Sequence, residues 1–171
     1  ERTRTIYFLR THSGGTVLVD LTVNGRNVDL DVSSGETLLT SLRNRLQLIG
    51  TKEACVEGEC GACTVLLDGK PVDSCIYSTA ASAGSRVTTV EGLRGPDGEL
   101  SPLQQAFIDH FAVQCGFCTP GLLVTLSALL ASNPDPDRAE IHQAVSGNLC
   151  RCTGYVQILE AVETVVREAR R

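Results

Sequence analysis

Eight cysteines are the residues in this 171-residue chain most able to do chemistry, and they fall into two groups of four. Cys55, Cys60, Cys63 and Cys75 form the first, with four residues between the first two, two between the next two and eleven before the last. That opening spacing suits four thiolates around a [2Fe-2S] cluster, and Gly58 and Gly61 let the loop turn its N–H groups inward. Zinc is the rival: it also takes four cysteines, but it favours two closely spaced pairs, and only Cys60 and Cys63 have that spacing. The second group joins Cys115 and Cys118 to Cys150 and Cys152. Each of its pairs precedes a predicted helix start, Thr119-Pro120 or Thr153-Gly154, so two helix N-termini would face one anionic centre. Spacing alone leaves this group as an iron–sulfur site or a zinc clamp, while the helical flanks argue against a thioredoxin-like redox disulfide. His12, His110 and His142 are at least five positions from any cysteine and read as surface or packing residues rather than ligands.

The elements that must position these groups differ between the two halves. Val17–Val23 and Val28–Val32 alternate apolar and polar residues across Asn24-Gly25, which predicts a hairpin with a type I′ turn. Ser33 or Ser34 then caps a helix carrying Leu38, Leu39, Leu42 and Leu46. Thr64–Leu67, Asp68-Gly69 and Pro71-Val72 give a second hairpin, and Arg86–Val90 a further strand. The expected unit is α+β, a grasp-like sheet with a helix across it. After the turn-rich stretch Gly92–Gly98, taken as the domain boundary, the pattern becomes helical. One helix follows Ser101-Pro102 with an apolar stripe of Leu103, Phe107 and Phe111. Others begin with Thr119 as cap, at Asp135-Pro136-Asp137, and after Thr153-Gly154, together predicting a four-helix bundle.

Composition removes several classes of function. Hydrophobic residues at 42% and charged residues at 20% suit a packed core, and a net charge of −5 offers little to a phosphate backbone, so nucleic acid is not an expected partner. The longest apolar stretch, Leu122–Ala131, is far short of the roughly 20 residues of a membrane span. Glu1–Arg10 has neither a signal-peptide core nor twin arginines, which makes a cytoplasmic chain with reduced, metal-binding thiols the expectation. No dinucleotide fingerprint, phosphate loop or nucleophile motif is present, so no catalytic residue is expected on this chain.

Three stretches taken together, Gly50–Val65 (GTKEACVEGECGACTV), Gln114–Gly121 (QCGFCTPG) and Gly147–Tyr155 (GNLCRCTGY), resemble the small iron–sulfur subunit of the molybdenum hydroxylases, the xanthine oxidase family. The similarity covers about residues 17–165 and includes all eight cysteines. It implies an N-terminal β-grasp, plant-type ferredoxin-like domain at 17–91 and a four-helix bundle at 99–171, each with one [2Fe-2S] cluster. Cys55, Cys60, Cys63 and Cys75 would bind the cluster nearer the flavin. Cys115, Cys118, Cys150 and Cys152 would bind the one nearer the molybdenum cofactor. Gln114 and Cys152 match positions that contact the pterin of that cofactor, and Arg151 would tune a cluster or meet a partner. The implied function is electron relay from a large molybdopterin-binding subunit to FAD on a medium subunit, in a dimer of heterotrimers, with an N-heteroaromatic compound as substrate. A zinc-stabilised interaction module and a free-standing two-cluster ferredoxin are the alternatives. Residues 1–16 depart from the family's compact start and are expected to be a tail.

Overall fold

The computed structural model describes residues 10–12, 15–95 and 97–170. Its first half is a six-stranded mixed sheet. Strands β2 (Thr16–Val23) and β3 (Arg26–Ser33) pair antiparallel in the register Val23↔Arg26. Asn24 and Gly25 both have positive φ, as the type I′ turn needs, so the alternation of Val17, Val19, Leu21 and Val23 puts all four into the core. Strands β4 (Thr64–Leu67) and β5 (Lys70–Asp73) repeat the device at Asp68-Gly69. Strand β6 (Arg86–Thr88) joins the hairpins, antiparallel to β4 and parallel to the end of β2. Asn24 secures that join: its Nδ2 donates to Thr89 Oγ1, and its Oδ1 accepts the Thr89 N–H, both at 2.9 Å.

β3 occupies one edge of β2 along its length, so β6 and β1 (Arg10–His12) share the other edge. Part of the stretch expected to be a tail is therefore paired with the sheet; residues 1–9, 13 and 14 lie outside the described residues.

The helix across the sheet is short. α1 (Leu38–Thr40) passes into a π-helical turn, Ser41–Arg45, and its cap is Thr37, whose side chain accepts the Thr40 N–H, rather than Ser33 or Ser34. Ser33 is consumed by β3 pairing, and Glu36 instead binds Arg45 in a two-toothed ion pair at 2.6 and 2.7 Å. Leu38 and Leu42 enter the sheet core, while Leu39 packs with Cys63 and Cys75.

Four helices follow: α2 (Pro102–Asp109), α3 (Thr119–Ser132), α4 (Arg138–Val145) and α5 (Val156–Ala169). Ser101 with Gln104, and Asp137 with Glu140, form capping boxes that fix two of the starts. α3 begins at Thr119, with Cys118 in the cap position assigned above to Thr119. The stripe assigned to α2 also needs correction: Phe107 is buried, but Phe111 lies past the helix end with φ +54° and is 82% exposed. Leu122 to Leu126 are buried in one unbroken run because α3 packs against β4 and β5 as well as α2 and α4. The two halves thus share α3 as a common wall. No described helix is long and apolar enough to cross a membrane.

Candidate functional site

The first cysteine group sits on the loop between the π-helical turn and β4, closed by Cys75 just after β5. Val56, Gly58 and Gly61 all adopt left-handed backbone conformations, which bend the loop back over itself. Cys55 benefits most: the Glu57 N–H, 3.5 Å from its sulfur, the Cys60 thiol and the Glu59 and Cys60 N–H groups pull its pKa down to about 7. Cys63 and Cys75 are buried, and burial pushes the Cys63 thiol up to about 12, opposed by the Cys75 N–H and aided by the Cys75 thiol and the Asp73 carboxylate. The Ser74 hydroxyl, donating to the Cys63 carbonyl at 2.7 Å, ties the strand of one to the loop of the other. Cys63 and Cys75 thus share one buried cluster with Leu39, while Cys60 is the thiol neighbour acting on Cys55.

The second group pairs across its two segments. Cys115 Sγ is 3.6 Å from Cys152 Sγ, and Cys150 is the thiol neighbour that adds to the rise of the Cys118 thiol. Cys115 and Cys152 are exposed, whereas Cys118 and Cys150 are half-buried. Burial drives Cys118 up to about 12. Burial also works to raise Cys150, but the Thr153 hydroxyl at 3.0 Å and the Thr153 and Cys152 N–H groups prevail and hold it below the ordinary thiol value. Tyr155, in a left-handed conformation at the α5 cap, accepts the Cys150 N–H at 2.7 Å and donates to the Asn148 carbonyl at 3.0 Å.

These features fit iron–sulfur clusters. Each iron of a [2Fe-2S] cluster takes two of the four thiolates, so a quartet divided into pairs is what two irons require. Two buried thiols in the first group would be costly as thiolates without a cation, and iron supplies the compensating charge. The sulfur-directed N–H groups favour the anionic form further.

Gln114 and Arg151 are both exposed, each beside a cysteine of the outer pair. Within five positions of them in sequence, Phe111, Val113, Phe117, Leu149 and Val156 also expose apolar surface. His110 caps the end of α2 and His142 lies in α4, away from the thiol pairs in sequence and in hydrogen bonding. Sequence reasoning missed Asn148 and Tyr155; both lie within the GNLCRCTGY stretch, but their partners are set by tertiary contacts.

Comparison with known proteins adds to this. Residues 21–87 match the family model of a 2Fe-2S iron-sulfur cluster binding domain, and residues 89–163 match that of a [2Fe-2S] binding domain. The chain is 51% identical over 146 residues to the nicotine 6-hydroxylase small subunit of Paenarthrobacter nicotinovorans, covering 85% of this chain and 87% of that one. It is 46% identical over 150 residues to the nicotinate dehydrogenase small FeS subunit of Eubacterium barkeri, covering 88% and 95%. Among solved structures, quinoline 2-oxidoreductase from Pseudomonas putida 86 matches with a TM-score of 0.86 and 42% identity, over 92% of this chain and 98% of that chain.

Proposed function

We propose that this chain, which belongs to the iron–sulfur subunits of the molybdenum hydroxylase family, relays electrons between a molybdenum-bearing subunit and a flavin-bearing one. The single observation that carries this reading is that the fold brings together cysteines far apart in sequence, Cys63 with Cys75 in one buried cluster and Cys115 Sγ within 3.6 Å of Cys152 Sγ. When bound, a [2Fe-2S] cluster takes up and passes on one electron at a time. Everything else is done by the residues of this chain. Cys55, Cys60, Cys63 and Cys75 hold one cluster, and Cys115, Cys118, Cys150 and Cys152 the other. The N–H groups of Glu57 and Thr153 and the Thr153 hydroxyl stabilise anionic sulfur, and hydrogen bonds of this kind raise a cluster's potential.

The sheet with α1 laid on it supports a β-grasp, ferredoxin-like reading of residues 17–91, and α2 to α5 support a four-helix bundle at 99–171. Exposure of Cys115, Cys152 and Gln114 within apolar surroundings supports docking of this face on a large molybdopterin-binding subunit, with Gln114 and Cys152 at the pterin. A glutamine amide offers a donor and an acceptor to a pterin edge. The Cys55 loop then serves FAD on a medium subunit, in a cytoplasmic dimer of heterotrimers. Similarity to subunits named for nicotine, nicotinate and quinoline enzymes supports an N-heteroaromatic substrate, chosen by residues on the large subunit.

The test is EPR on the dithionite-reduced complex. Two distinct signals of about one spin each are expected, with Cys60→Ser disturbing one and Cys150→Ser the other. A single signal, or a Cys→Ser change that leaves both intact, would overturn the assignment. Native mass spectrometry of the complex checks the subunit ratio.

A further inference from the structure

The loops that carry the two cysteine groups are bolted together by one side chain. Asn148 is 3% exposed and 87 residues from Gly61, yet its Nδ2 donates to the Gly61 carbonyl at 2.9 Å and to Thr64 Oγ1 at 3.2 Å. Gly61 lies between the ligands Cys60 and Cys63, and Asn148 lies two positions before Cys150. The neighbouring backbone repeats the link, Leu149 N–H donating to the Cys60 carbonyl at 2.9 Å.

Two glycines make the approach possible. A Cβ on Gly61 would stand 2.4 Å from Asn148 Nδ2 and from the Gly147 carbonyl. A Cβ on Gly121, three residues past Cys118, would stand 2.2 Å from the Gly61 carbonyl. Three ligand-bearing segments therefore meet at Gly61 with no side-chain bulk between them, and Asn148 supplies the only side-chain donor to its carbonyl from the helical half among the described residues.

We propose that Asn148 is a positioning residue for electron transfer within this chain: it holds the Cys60–Cys63 loop and the Cys150 loop in one fixed register. This rests on the two-cluster reading above and adds a named residue to it. A buried amide with its donor satisfied on a backbone carbonyl is directional, whereas apolar packing of the two halves alone would let the loops slide by fractions of an ångström. The Thr64 hydroxyl, itself donating to the Gly61 carbonyl at 2.7 Å, fixes the same oxygen from the sheet side.

The experiment uses the intact reduced complex and records two things at low temperature: the spin count of each EPR signal and the magnetic interaction between them. Asn148→Asp keeps the shape and removes the donor; Gly121→Ala disturbs the same junction by sterics alone, its Cβ standing 2.2 Å from the Gly61 carbonyl oxygen and 3.0 Å from Asn148 Nδ2. Both are expected to keep two full signals while shifting or abolishing the interaction splitting. Ile141→Val, a core change on α4 at a residue with no hydrogen bond to the junction, should leave the splitting as in the wild type. Thr64→Val removes the 3.2 Å bond from Asn148 and the 2.7 Å bond to the Gly61 carbonyl but leaves Asn148 bonded to that carbonyl, and predicts a shift in the same direction where Asn148→Asp fails to load. A wild-type splitting in both Asn148→Asp and Gly121→Ala, or an equal shift in Ile141→Val, overturns this proposal alone. A wild-type complex lacking two signals overturns the relay reading and this proposal with it.

Discussion

The Tyr155 hydroxyl accepts the backbone N–H of Cys150 at 2.7 Å, so a residue at the cap of α5 holds a thiol-bearing peptide five positions earlier. The same oxygen donates to the Asn148 carbonyl, closing the loop into a ring of hydrogen bonds. Tyr155→Phe keeps the aromatic body and leaves both backbone groups unpartnered at a half-buried place, which costs about 1–3 kcal/mol. We expect a lower urea midpoint and a changed line shape for the EPR signal that Cys150→Ser disturbs, with the other signal unmoved. An unchanged spectrum would show that the ring of bonds does not set the geometry of Cys150.

Gly61→Ala meets two penalties at once. The left-handed conformation at φ +66° costs a residue with a Cβ about 1–2 kcal/mol, and the overlap with Gly147 and Asn148 adds about 1–3 kcal/mol of overpacking. Purified Gly61→Ala protein should carry less iron than wild type. Gly25→Ala meets the left-handed penalty too, at φ +79°, but has nothing near its Cβ and lies away from the cysteines in sequence, so it should carry more iron than Gly61→Ala.

Phe107 and Phe111 are four residues apart and should respond oppositely. Phe107→Ala empties a site that is 1% exposed and should cost about 3–5 kcal/mol. Phe111→Gly removes an exposed ring and relieves a left-handed backbone, so the isolated chain should lose no stability. Thermal unfolding of the two variants side by side decides it.

Glu36 is held below the usual carboxylate range chiefly by the hydrogen bond from Arg45, aided by Ser41 and opposed by burial. A carboxylate with a depressed folded-state pKa contributes stability above its unfolded value, near 4.5, and loses it as the pH falls through the folded value. Arg45 is 41% exposed, so solvent screening limits the contribution to about 1 kcal/mol. Glu36→Gln should lower the urea midpoint at pH 7 and match the wild type below the folded pKa. An equal deficit at both pH values would show that the pair acts through shape rather than charge.

What the sequence by itself determined was local. Asn24-Gly25 and Asp68-Gly69 specify hairpins because few residues accept two consecutive positive φ angles, and Ser101 and Asp137 announce helices because each carries its own capping partner three residues on. Spacing of Cys55, Cys60 and Cys63 was legible for the same reason: one short loop presents all three. Elsewhere the local signal was outvoted. Ser33 is a good cap on paper, but strand pairing claims its backbone; Phe111 continues a four-residue rhythm past a helix that ends at Asp109. Only the tertiary structure decided that Cys115 faces Cys152 and Cys118 faces Cys150, and that Asn148 reaches Gly61 across 87 residues. Contacts of that range depend on how α3 is wedged between the sheet and the other helices, and no window of neighbouring residues contains that information.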